Sequence, residues 1–354
     1  MSIPVFNQGR AITWIVDFDG TLTKHDTLDT LVDIAVAAKP DKPISVAWEY
    51  ATKSYLADYS AALKEHAPDG KLPTTVISER KLLKDLRAVE KKSIERVSSS
   101  EIFKDLTAAQ LKAGAIKAIE SGEVEMRAGS KEFVRYIWTR IDQQDLDFDL
   151  LNILSVNWSQ RFISRCLQAT KFDLGTWLPM LGDVSLAGSK QYGLSKNKQL
   201  QKQLSIRFRE AEDAALYRIP IYANEIEGLG KGSKSTGKIC AAGSHEIISS
   251  FDKLAYLQTM RHLNPYTMKP VPIVYVGDSW TDFECLLAAE LGICIRDEPM
   301  TSSEKALQDS LNRLGIYCPH ISDWEDIDEW GVVWAKDFVE IKQWAEDIES
   351  QETE

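Results

Sequence analysis

Two aspartates, Asp17 and Asp19, stand two residues apart in AITWIVDFDGTLT, where an apolar run gives way to glycine and threonine. A carboxylate in that place can attack phosphorus and form an aspartyl-phosphate, which splits one hard displacement into two easier ones. Its neighbour can protonate the leaving oxygen and later deprotonate the attacking water. Gly20 allows a tight turn, and Thr21 offers a hydroxyl and a backbone donor to a phosphoryl group. An ordinary strand ending in an Asp-Gly turn has the same spelling, so the rest of the chain has to decide.

For the two carboxylates to act together, something must aim them. Ile12, Trp14, Ile15 and Val16 form a near-continuous apolar run, the pattern of a strand covered on both faces. Residues two apart at its end project to the same side, and the carboxyl ends of parallel strands are where open α/β sheets bind ligands. PIVYVGDSWTDFECL repeats the device, with Asp278 at the end of an apolar strand and Asp282 where a helix begins. Mg²⁺ takes oxygen ligands, keeps several waters and is usually held by one or two carboxylates plus substrate phosphate. Asp278 with Asp17 meets that demand, and Asp282 would order the site from behind. Two further stretches are weaker by themselves. In ILSVNWS, Ser155 closes a strand, and its hydroxyl and the following amides of Val156 and Asn157 could bind phosphate oxygens. In SSFDKLAYLQ, Lys253 opens a helix beside Asp252, where its ammonium would neutralise developing phosphate charge.

Between the first strand and residue 125 the chain reads as helices only, over 26–38, 44–66, 75–95 and 100–121. Ser99 or Ser100 is the expected cap of the last and Gly122 its stop. This predicts a helical domain at 25–125 inserted into a core made of 1–24 and 126–354. Alternation resumes with a helix at 130–140, a strand at 149–156, a helix at 162–167, a short strand at 184–186 and a strand at 219–227. A helix at 253–261, strands at 272–276 and 293–295 and a closing helix at 337–348 complete it. The polar stretch 186–211 reads as a surface excursion. Residues 232–239, GSKSTGKI, nearly spell a phosphate-binding loop, but Ile239 stands where a hydroxyl is required, and a hairpin tip is the better reading. The tryptophans at 324, 330, 334 and 344 are expected to pack down the acidic carboxyl-terminal segment.

A net charge of −11 over 354 residues argues against a nucleic-acid backbone or an anionic membrane as partner. Five scattered cysteines with no CxxC pair predict thiols in a reducing compartment rather than disulfides or a zinc site. No window approaches the ~18 apolar residues of a membrane span, and MSIPVFNQGR lacks the apolar core of a signal peptide, so a cytoplasmic protein is expected.

Taken in order, DFDGTLT, a strand ending in serine, a helical lysine and GDSxxD resemble the haloacid dehalogenase superfamily of phosphotransferases. The phosphoserine-phosphatase-like branch, with a helical cap between its first and second motifs, is the most similar, over a core from Ile12 to about Asp297. The resemblance implies a doubly wound, Rossmann-like α/β core with a parallel sheet and an inserted helical cap. It implies Asp17 as nucleophile and Asp19 as acid/base. Thr21, Ser155, Val156, Asn157 and Lys253 would hold the phosphoryl group, and Asp17, Asp19 and Asp278 the Mg²⁺, with Asp282 in support. An aspartate at position 19 fits the phosphatases of the superfamily, since the dehalogenases lack that proton donor. The Asp26-Thr27 pair is similar to one in fungal and bacterial cytosolic phosphatases. The implied activity is Mg²⁺-dependent hydrolysis of a small phosphorylated metabolite, because a large cap leaves little room for a folded partner. Arg127, Asn157, Trp158 and Asn224 are further candidate contacts. A phosphoryl transferase acting on an acceptor alcohol and a non-catalytic sensor of phosphorylated metabolites are the alternative readings.

Overall fold

The computed structural model describes residues 11–143, 149–170, 219–230, 232–263 and 268–350. Short apolar runs give its strands: β1 (Thr13–Val16), β2 (Leu150–Leu154), β3 (Ile221–Tyr222), β4 (Asn224–Ile226), β5 (Ile239–Ala241), β6 (Ile273–Gly277), β7 (Leu291–Ile295) and β8 (Val332–Ala335). Six of them make a sheet in the order β3-β2-β1-β6-β7-β8, parallel throughout. After β1 the chain builds outward through β2 and β3, then returns to the other side of β1 with β6. That reversal makes the carboxyl end of β1 a topological switch point, where open α/β sheets hold ligands.

The helices are α1 (Leu28–Ala38), α2 (Ile44–His66), α3 (Val76–Ser99), α4 (Ala108–Ser121), α5 (Ser130–Gln143), α6 (Gln160–Ala169), α7 (Ser250–Met260), α8 (Phe283–Ala288), α9 (Ser302–Leu314) and α10 (Phe338–Ser350). Period-two alternation along β1 divides the core into two layers. Trp14 and Val16 bury against Phe133 and Ile137 of α5 and Phe338 and Ile341 of α10. Ile15 points the other way, into Leu257 of α7, Phe283 and Leu286 of α8 and Leu307 and Leu311 of α9. Helices on both faces of a parallel sheet are the doubly wound architecture expected. Trp14 is anchored as well as buried: its Nε1 donates to Asp149 at 2.9 Å and its ring meets Phe133 edge-on at 4.9 Å. Trp344 packs against Trp14 and Trp324, so these two carboxyl-terminal tryptophans do pack that segment down.

Two expectations change. The strand expected at 219–227 is two: β3 extends the sheet beside β2, while β4 turns away to pair antiparallel with β5. Asn224 fixes the break, its Nδ2 donating to the Ile247 carbonyl at 2.7 Å and its Oδ1 accepting from the Ile247 amide at 2.9 Å. Residues 232–239 connect β4 to β5, and Ser235 exchanges backbone bonds with Asp105 and Leu106 at 2.9 and 2.8 Å. The helix expected over 100–121 starts only at Ala108. Ile102, Phe103 and Leu106 are fully buried in a turn, and Thr107, not Ser99 or Ser100, forms the capping box with Gln110. The strand expected at 184–186 and the excursion at 186–211 lie outside the described residues.

The chain leaves the sheet and returns to it through adjacent segments, Lys24 N donating to Glu125 O and Arg127 N to Leu22 O, both at 2.8 Å. Between them, α2 packs along α3 through Tyr55, Tyr59, Leu82 and Leu86. One face of α3 is then tied to the sheet-bearing part by charge. Glu79 takes Arg313 at 3.0 Å and Trp280 Nε1 at 2.8 Å, Arg87 takes Asp252 at 3.0 Å, and Lys91 takes Glu246 at 2.6 Å. Among the described residues no helix is long and apolar enough to cross a membrane.

Candidate active site

Val16 lies level with Val276 in the sheet, so β1 and β6 end side by side and deliver Asp17 and Asp278 to one place. The backbone immediately after β1 turns sharply through Gly20, whose φ is +72°. A Cβ at Gly20 would stand 2.4 Å from Asp278 Oδ2, so the position is restricted twice, by conformation and by space. Gly20→Ala is expected to cost about 1–3 kcal/mol of folding stability through left-handed backbone strain and displacement of Asp278. Thermal unfolding measures it; an unchanged midpoint would show that the turn relaxes freely.

Asp17 is nearly fully buried. Its Oδ1 accepts from the Phe18 amide at 2.7 Å and its Oδ2 receives Lys253 Nζ at 2.8 Å. Lys253, wholly buried, donates its other short bond to Asp282 Oδ1 at 2.7 Å. Asp282 also accepts from Tyr275 OH at 2.6 Å, from the amides of Asp278 and Ser279 at 3.2 and 3.1 Å, and from Ser279 Oγ at 3.1 Å. With so many donors it orders the turn from behind.

Oxygens of Asp17, Asp278 and Asp282 all lie within 4.8 Å of one another. Three carboxylates thus share one ammonium. Burial works against the charge on Lys253, but Asp17 and Asp282 outweigh it and hold the ammonium above its usual range. Burial, followed by the charge of Asp282, pushes Asp17 well up. The same two causes push Asp278 up to about 7. An all-oxygen donor set carrying this excess of negative charge suits a hard divalent cation, and Asp17 and Asp278 could hold one.

Asp19 faces elsewhere. Its Oδ1 accepts from the amide and hydroxyl of Thr27 at 3.0 and 2.6 Å, and its Oδ2 from Asn157 Nδ2 at 2.8 Å. Burial raises its pKa against the pull of those donors, the direction that suits a proton donor. The Asp19 carboxylate, expected among the metal ligands, thus stands apart from the cluster of Asp17, Asp278 and Asp282.

Other predicted residues have protein partners in the structure. Thr21, expected at the phosphate, is fully buried and donates its hydroxyl to Asp278 Oδ1 at 2.9 Å. Ser155 is also buried, its Oγ accepting from the Asn157 amide at 3.1 Å, and of its neighbours Val156 reaches the cleft surface. The Asn157 side chain serves Asp19 rather than the open cleft. Arg127 bonds the carbonyls of Thr21 and Gly20 at 3.0 and 2.6 Å and pairs with Asp297 at 2.5 Å, so it holds the turn. Trp158 alone of the further candidates lines the cleft.

That cleft has a volume of about 500 Å³ and is lined by Asp17, Asp19 and Asp278 together with Trp48, Tyr55 and Glu90 from α2 and α3. Sequence reasoning missed the start of α9, where Thr301, Ser303 and Glu304 also line the cleft. Ser303 Oγ donates to Asp278 Oδ2 at 3.3 Å. The Thr301–Glu304 capping box was a usable signal for that helix.

No family model matches the chain. A CTO1 family protein of Schizosaccharomyces pombe is 25% identical to it over 284 residues, covering 80% of this chain and 81% of that one. Cold tolerance protein 1 of Saccharomyces cerevisiae is 28% identical over 165 residues, covering 42% and 49% respectively. A phosphoserine phosphohydrolase-like protein from Francisella tularensis aligns structurally over 94% of this chain and 98% of its own, with a TM-score of 0.43 and 14% identity. The strand order, with Asp17 and Asp19 after the central strand and Asp278 and Asp282 after its neighbour, gives the chain a Rossmann-like α/β core, arranged as the resemblance to the haloacid dehalogenase superfamily implies.

Proposed function

We propose that the protein is a Mg²⁺-dependent phosphatase of small phosphorylated metabolites, working through an aspartyl-phosphate on Asp17, with residues 25–125 as its cap. The observation that supports this best is the division of labour between two carboxyls. Asp17 is pinned by an ammonium on one oxygen and an amide on the other, while Asp19 is held apart from it by Thr27 and Asn157. In the first half-reaction an Asp17 oxygen attacks phosphorus and the ester P–O bond breaks. The electron pair leaves on the alcohol oxygen, which takes the proton of Asp19. Asp19 then accepts a proton from water, whose oxygen attacks phosphorus and releases phosphate and the Asp17 carboxylate. Mg²⁺ held by Asp17 and Asp278 would neutralise charge on the phosphoryl oxygens.

The paired segments at 22–24 and 125–127 support a cap boundary there, and α2 and α3 wall the cleft from above the carboxylates. Such a lid excludes water from the phosphoryl site and limits the substrate to a small molecule. Five free thiols accord with a reducing, cytoplasmic setting. Phosphate release should be measured across a panel of phosphorylated metabolites with Mg²⁺ and with EDTA. We expect release from a narrow subset, abolished by EDTA and restored by excess Mg²⁺. Release that survives chelation would overturn the metal requirement, and a folded protein releasing phosphate from none would overturn the reading.

A further inference from the structure

Resting on that reading, the lining that shares the cleft with the carboxylates bears on the alcohol half of the substrate. Trp48 and Trp158 meet there edge to face, ring centroids 5.8 Å apart and planes at 86°. The Trp48 ring is fixed, because its Nε1 donates to Asp29 at 2.7 Å. Glu90 lines the same cleft, half-buried, and accepts from Tyr55 OH at 2.8 Å. It makes no ion pair among the described residues, and burial pushes its carboxyl up to about 7. Two tryptophans set at right angles, a tyrosine and a carboxylate without a counter-ion are the groups that recognise a substituted ammonium.

The rest of the lining agrees. Among the described residues its basic side chains are Lys24 and His25, with no arginine, and Lys24 is turned to Glu125 at 3.5 Å. A carboxylate on the leaving alcohol would meet Glu90 with no fork of donors to receive it. We propose that Glu90, with Trp48 and Trp158, selects phosphomonoesters whose alcohol carries an ammonium or alkylated ammonium group and rejects those carrying a carboxylate.

Phosphocholine, its neutral carbon isostere neohexyl phosphate, and phosphoserine separate charge from size. With the full-length protein and Mg²⁺, kcat/KM for phosphocholine should exceed that for the neutral isostere by about tenfold or more, with phosphoserine the poorest. In Glu90→Gln the ratio between the first two should fall about tenfold, whereas a merely structural Glu90 would lower both alike and leave the ratio unmoved. The small aryl ester p-nitrophenyl phosphate separates the two levels of the claim. Turnover of the aryl ester without any preference for phosphocholine overturns the ammonium site and leaves the phosphatase standing. Turnover of no ester at all overturns both.

Discussion

Asp17→Asn should lower phosphate release by at least about a thousandfold while leaving the fold in place, because the substitution removes the attacking carboxylate and little else. The amide retains an oxygen to accept from the Phe18 amide, and Lys253 retains Asp282, so no buried cation is left unpaired. The variant also relieves one of the three carboxylates crowded within 4.8 Å, which offsets the lost bond to Lys253. Phosphate release at saturating Mg²⁺, set beside a thermal melt, makes the measurement. Turnover near the wild-type rate would sink the covalent route. A melt lowered by tens of degrees would instead mark Asp17 as part of the scaffold. The sensor alternative predicts a different pattern, with no release from either protein and phosphate binding retained in both.

The core was legible where burial on both faces leaves a sequence with no polar alternation. TWIV and IVYVG are four or five residues long, mostly apolar and bounded by aspartate, so β1 and β6 could be read with their ends almost right. β5 and β8 could not. ICA is three residues beside a glycine-rich hairpin, and VVWA sits inside a tryptophan-rich acidic segment whose composition reads as surface packing. The misplaced start of α4 has a similar cause: Ile102, Phe103 and Leu106 fall at helical spacing, yet they bury a turn gripped by Ser235 of the β4–β5 connection. At the site, the charged residues at strand ends were readable and their partners were not. Thr27 and Asn157 reach Asp19 across 8 and 138 positions of chain. Local sequence also does not say which way a hydroxyl turns: in the structure Thr21 donates to Asp278, and the Ser155 hydroxyl oxygen accepts from the Asn157 amide. Trp48 and Glu90 fall on the cleft only because α2 and α3 are docked, and the ion pairs that dock them lie more than a hundred residues apart in sequence.

Lys253→Met should destabilise the folded protein by about 3–5 kcal/mol, the cost of leaving a buried ion pair half-made. Methionine can fill the volume of the lysine stem, so packing loss is small and the effect is electrostatic. Without the ammonium, Asp17 and Asp282 lose their bonds of 2.8 and 2.7 Å and face each other and Asp278 at buried positions. The sign with pH follows from the raised pKa of Lys253. A cation held more firmly in the folded state contributes fully below its unfolded pKa of about 10.4, and the contribution fades only as pH rises through the folded value. The variant's deficit should therefore be complete at pH 7. Denaturant unfolding of the wild type, Lys253→Met and the double variant Lys253→Met with Asp282→Asn gives the test. The double variant should recover part of the loss, since it removes one of the stranded charges, and that recovery distinguishes charge from shape. If Lys253→Met unfolds at the wild-type midpoint, the carboxylates do not depend on the lysine. Part of that deficit should also disappear on adding Mg²⁺, because a divalent cation bound by Asp17 and Asp278 would supply the same missing charge, and a deficit indifferent to Mg²⁺ would count against metal binding there.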